Sequence, residues 1–286
     1  MITSRLFQDT HSRLGEGMWY DGEKNRVYWL DIWGCKVFIH DLATAETRVI
    51  NVTDPVTTIV PREGEDGFVI ATCTGFYLVD EDFTKFDKLP MPDDIDFAKY
   101  RGNDGKVAPD GWFWVGAMEL NSTPGLAKEY VVTKDKCWKV LDGLDIPNGI
   151  VWNKAHDTMY FNDTLSRRIY AFDYTPGHIE NQRVVYVHGG EGVPDGMAID
   201  EDDNLWIAIY GDAVVLKVDP RKGELLDTVA VDCPGCSSVA VGGGKLWITT
   251  GTEGLDDEGK KKYPHAGGVF IADIPQQGVP SFRFKG

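Results

Sequence analysis

Six aromatic residues set a period along this chain: Tyr28, Phe68, Phe113, Tyr160, Trp206 and Trp247 follow one another at steps of 40, 45, 47, 46 and 41 residues. Each stands in a short β-branched and aromatic run, followed by a polar turn and a second alternating run that ends near an acid. The pairs are 27–31 with 36–41, 68–72 with 76–80, 112–116 with 129–133, 159–163 with 168–173, 205–209 with 215–219, and 246–250 with 269–273. A repeat of this length, all-β and punctuated by glycine-rich turns, has the size of one four-stranded propeller blade. An open sandwich of the same strands has no reason to keep the period. The units fill the chain, so the expectation is an all-β, six-bladed β-propeller of four-stranded blades, one domain over residues 1–286. Segments 2–7 and 281–284 also read as short strands. The N-terminal one is expected to pair into the blade built from the C-terminal repeat, closing the ring and removing two exposed sheet edges.

The same phase of each repeat carries polar residues, 10 to 12 positions before the anchoring aromatic: Gly15-Glu16-Gly17, Thr57-Thr58, Arg101-Gly-Asn103-Asp104-Gly105, Pro147-Asn148-Gly149, Pro194-Asp195-Gly196 and Cys236-Ser237-Ser238. Taken singly, Asn-Gly and Asp-Gly are ordinary hairpin-turn signals. In a propeller, however, this phase opens the innermost strand, at one mouth of the central channel. Glu16, Asn103, Asn148 and Asp195 would then meet on one axis. Buried carboxylates and amides need a compensating partner, and a divalent cation is one. An all-oxygen set of Glu, Asn and Asp suits a hard or borderline ion.

Charge narrows the partners. The chain carries 29 Lys and Arg against 45 Asp and Glu, a net charge of −16, which repels nucleic-acid phosphates and anionic membranes. No segment has the length or hydropathy of a membrane span or a signal peptide. Five scattered cysteines fit a reducing cytoplasm. Cys233 and Cys236 have C-x-x-C spacing but no second pair to complete a zinc site, so a tight turn with incidental thiols is expected. The six histidines show no ligand spacing and are expected in loops or at the surface.

These segments resemble the SMP-30/gluconolactonase family, which includes regucalcin, from about residue 14 to 270. The most specific stretch is Arg101-Gly-Asn-Asp-Gly-Lys-Val-Ala-Pro-Asp-Gly-Trp-Phe-Trp-Val-Gly-Ala-Met118, supported by Gly15-Glu16-Gly17, Ile146 to Gly149, Tyr160 to Asp163, Pro194 to Gly196 and Ala266 to Phe270. The resemblance implies a hydrolase that opens sugar lactones to aldonic acids with one divalent ion, calcium first, with zinc, manganese, magnesium or iron(II) as alternatives. It implies Glu16, Asn148 and Asp195 as metal ligands, Asp195 also as acid/base, and Arg101, Asn103 and Asn121 as sugar contacts. Asn121 stands where animal members place an acid, with Glu119 nearby. Ala108 and Trp112 depart from the family pattern, which bears on substrate rather than on the metal site. The implied partner is a small sugar lactone, and the chain is expected to be a monomer or weak homo-oligomer. Two rivals stand beside this reading: a calcium-handling or scaffold propeller without catalysis, and a metal-dependent hydrolase of aryl esters or organophosphates. Trp19, Trp33 and Trp152 are candidates either to stack on a sugar or to pack the blades.

Overall fold

The computed structural model describes residues 1–286. It is a β-propeller of six blades, each a meander of four antiparallel strands. In blade one the strands are Gly15–Asp21, Arg26–Asp31, Lys36–Asp41 and Glu46–Asn51, from the axis outward. The innermost strands of the other blades are Val56–Pro61, Tyr100–Val107, Pro147–Trp152, Val193–Ile199 and Cys236–Gly242. Each inner strand packs against its neighbours around the ring, blade six against blade one.

Sequence explains the radial order. Inner and second strands are buried on both faces, so they read as near-continuous apolar runs: 56–61 and 68–72 are buried throughout. Fourth strands face solvent and turn polar, as in Glu46–Asn51. Trp29, Trp114, Trp206 and Trp247 on the second strands are fully buried between blades. Each aromatic of this size removes a large apolar area from water, the main favourable term holding neighbouring blades together.

Closure follows the expectation at the N-terminus. Arg5–Gln8 becomes the outermost strand of blade six, antiparallel to Val269–Asp273. Ile2–Thr3 goes further and adds in parallel to the outer strand Glu224–Ala230 of blade five, so one short segment ties two blades. The C-terminus differs from the expectation. Residues 281–284 alternate like a strand, but only Phe284 forms a bridge, to Arg62. The reason lies in their path: the tail crosses the end of the propeller instead of lying along a blade. It touches Asp200 of blade five through Gly278, Val241 of blade six and His156 of blade four through Phe282. Arg283 reaches Asp21 of blade one at 2.6 Å, Phe284 bonds Pro61 of blade two, and Lys285 bonds Gly111 of blade three. All six blades are strapped.

One histidine departs from the expected loop or surface positions, and a second keeps to a loop but is buried there. His40 is buried within a strand of blade one, hydrogen-bonded to Thr47 at 2.7 Å. His188 is buried against Asp212 at 2.8 Å. Each has a side-chain partner that makes burial tolerable. No helix is long and apolar enough to cross a membrane.

Candidate active site at the upper mouth

All six inner strands carry a register shift near their first residues: between Glu16 and Trp19, Val56 and Thr58, Gly102 and Gly105, Asn148 and Ile150, Pro194 and Met197, and Cys236 and Val239. A bulge places one extra residue against the partner strand and re-aims a side chain. The Asn-Gly and Asp-Gly pairs therefore lie inside strands, at the bulges, and not in hairpin turns. Glycine is required there for space: a Cβ on Gly149 would come within 2.6 Å of the Asp195 carbonyl on the next inner strand. Gly17 adds a conformational reason, since its φ is +61°.

These bulges gather Glu16, Arg101, Asn103, Asn148 and Asp195 at the mouth where the inner strands begin, each buried to at least nine-tenths. The Asn103 amide donates to Asn148 Oδ1 at 3.0 Å and to the Pro147 carbonyl at 2.7 Å. Arg101 Nη1 donates to Asn103 Oδ1 at 2.7 Å and to the Gly102 carbonyl at 2.9 Å. The Arg101 guanidinium also lies 5.6 Å from the centre of the Trp33 ring.

Electrostatics mark the two acids. Burial first, then the neighbouring Asp195 and Asp104 carboxylates, hold Glu16 well above the usual carboxylate range. Burial and Asp104 do the same to Asp195. Arg101 eases both through its field, but the hydrogen bonds they accept come only from the amides of Gly17 and Gly196. Burial in turn lowers the Arg101 pKa, against the acids around it. Two buried carboxylates with free oxygens and an amide carbonyl beside them are a donor set that fits a divalent cation. Third and further ligands from His, Cys, Asp or Glu do not join them, so solvent or substrate oxygens would complete the shell.

The other members of the repeat do different work. Thr58 donates to the Asn103 carbonyl, Ser237 donates to the Gly15 carbonyl, and Ser238 accepts from the Met18 amide at 3.2 Å; all three stitch neighbouring inner strands. Asn121 lies on the exposed turn after the strand Phe113–Glu119, at the same end of the blade as Arg101. Its amide is held by Glu119 at 2.8 Å and makes no bond to the central group. Cys233 and Cys236 are buried free thiols facing the carbonyls of Gly251 and Cys233. Of the three tryptophans, Trp33 is at this mouth, with its indole N–H on Glu253 at 3.1 Å. Trp19 and Trp152 are buried at the opposite end.

Sequence reasoning missed the residues that orient the group. Asn162 Nδ2 donates to the Asp195 carbonyl at 2.5 Å, and Thr164 Oγ1 accepts from Asn148 Nδ2 at 2.8 Å. A signal existed: antiparallel register sets Asn148 opposite Asn162, and so places the end of each second strand beside the start of its first.

Known proteins agree with this architecture. Residues 14–252 match the family model described as the SMP-30/gluconolactonase/LRE-like region. Chicken (Gallus gallus) regucalcin is 33% identical over 287 residues, covering 96% of this chain and 95% of its own. YvrE of Bacillus subtilis, provisionally named a sugar lactone lactonase, is 31% identical and covers 98% of each chain. The crystal structure of a calcium-binding protein, regucalcin, from Agrobacterium tumefaciens superposes with a TM-score of 0.93 at 24% identity, over 100% of this chain and 98% of that one.

Proposed function

The chain belongs to the SMP-30/gluconolactonase/LRE-like family, and on that premise we propose that it is a metal-dependent hydrolase opening sugar lactones to aldonic acids. The observation that supports this most is the bulge-directed meeting of Glu16, Asn148 and Asp195, buried oxygen donors with no cationic side chain bonded to them. Glu16, Asn148 and Asp195 would hold one divalent ion; calcium suits the all-oxygen set, and zinc, manganese, magnesium or iron(II) are the alternatives. Such an ion, when bound, polarises a lactone carbonyl and stabilises the negative charge that develops on its oxygen.

The protein's own groups supply the rest. Asp195 accepts a proton from the attacking water as its oxygen bonds to the carbonyl carbon. The ring C–O bond then breaks, and the departing ring oxygen recovers that proton from Asp195. Arg101 is a buried donor beside the acids, with the chemistry to bind hydroxyls on a polar ring. Asn103 supports the same choice, because a polar wall disfavours the apolar esters of the rival hydrolase reading. The partner is a small lactone, and nucleic acid is disfavoured by the −16 charge.

The test is a pH-stat assay on a lactone panel with chelated protein, repeated after adding back each ion. Activity that depends on the ion and disappears in Asp195→Ala supports the proposal. Full activity of Asp195→Ala after chelation sinks it.

A further inference from the structure

Asn148 can serve a cation only if its carbonyl oxygen, and not its NH2 group, faces the axis. The two ends of an amide are nearly the same size, so packing alone leaves either orientation open. Neighbouring side chains decide it. Nδ2 donates to Thr164 Oγ1 at 2.8 Å, while Oδ1 accepts from Asn103 Nδ2 at 3.0 Å. A carbonyl oxygen has two lone pairs, so after Asn103 takes one, the other stays free.

Thr164 is itself fixed. It opens the 3-10 turn Thr164–Ser166 at the end of the second strand of blade four. Its amide donates to the Ile146 carbonyl at 3.1 Å, and its carbonyl accepts from the Arg167 amide at 3.1 Å. Its side chain is buried. On the other side, Asn103 is held by Arg101, Arg101 by the Trp33 face, and Trp33 by Glu253. The polar belt thus runs from blade six to blade four and ends on Thr164.

We infer that Thr164 is a positioning residue of the cation site: its hydroxyl oxygen holds the Asn148 NH2 group off the axis and so presents Oδ1 to the ion. This rests on the reading of Glu16, Asn148 and Asp195 as ligands. Thr164→Val keeps shape and volume but removes the acceptor, leaving the amide without its anchor. Thr164→Ser restores it.

Calorimetric titration of the chelated full-length protein with calcium, and separately with manganese, tests the assignment, alongside thermal melting in chelator. Thr164→Val is expected to bind about 10–100-fold more weakly, as substitutions of groups that orient metal ligands do. Its melting temperature without metal should fall by no more than the loss of one buried hydrogen bond accounts for, and Thr164→Ser should bind as the wild type does. Wild-type affinity in Thr164→Val, with Asp195→Ala unable to bind, overturns the role of Thr164 alone. Weak binding in Thr164→Val that Thr164→Ser does not restore overturns it as well. A wild-type chain that takes up no ion defeats the functional reading and this inference together.

Discussion

The two ends of the central channel are made by the same six strands, and they spend their residues in opposite ways. At the upper mouth the strands begin with bulges that turn Glu16, Arg101, Asn103, Asn148 and Asp195 inward, where burial works against every charged member. Toward the lower end Met18, Trp19, Val107, Val151, Trp152 and Ile199, with Lys106 as the one charged member, line a mostly apolar cavity of about 50 Å³ against Val279, Pro280 and Phe282 of the tail. Phe284 then inserts fully buried into the core between blades one to three. A strand can thus carry a costly polar start because its other end packs largely on apolar groups. Apolar packing and costly polar groups are divided along the axis, which is how such groups persist in a marginally stable fold.

Substitutions can break that division, and the largest effect belongs at the top. Asp195→Asn should cut lactone opening by about 10²–10⁴-fold, the range for a lost acid/base group. Its melting temperature in chelator should stay level or rise, because one of the mutually opposed buried acids loses its charge. A parallel fall in stability would show that the upper mouth also holds the fold together. Phe284→Ala is the converse at the bottom. It should cost about 3–5 kcal/mol in denaturant unfolding, while kcat/KM of the folded fraction is unchanged. Loss of activity without loss of stability would place the tail in the chemistry.

Arg101→Met sharpens the comparison within the top. It should lower kcat/KM for hydroxylated lactones by about 10–100-fold, the worth of a charged hydrogen bond, with a smaller loss on an unsubstituted lactone. Equal losses would assign Arg101 to the ligand geometry instead of to substrate hydroxyls.

The smallest effect lies away from both ends, at the closing seam. Hydrogen bonds from Arg5, then Lys245, pull the exposed Asp273 carboxyl down from 3.8 to about 2. A depressed folded pKa gives stability that is present above the unfolded value and disappears as pH falls through about 2. Asp273→Asn should therefore lower the melting temperature slightly at neutral pH and not at all in strong acid or high salt. A shift as large as that of Phe284→Ala would mean that this pair carries ring closure.

Some of this was legible in the sequence for local reasons. Alternation within each run and the spacing of Tyr28 through Trp247 are properties of consecutive residues, so strands, blade number and N-terminal closure follow from them. The phase of Glu16, Asn148 and Asp195 was visible for the same reason. Bulges were not, because Asn148-Gly149 looks alike in a turn and in a strand that must pass 2.6 Å from a neighbouring carbonyl. Residues 281–284 were misread because a chain crossing six blade ends can alternate as a strand does. Trp33 with Glu253, separated by 220 positions, meets only once the ring closes; no window along the chain contains both.

The most direct test is an anomalous difference map from a crystal soaked in calcium. A single peak on the channel axis, about 2.3–2.6 Å from oxygens of Glu16, Asn148 and Asp195, is the predicted result. A calcium peak elsewhere on the propeller, with these three residues left without an ion, contradicts the account.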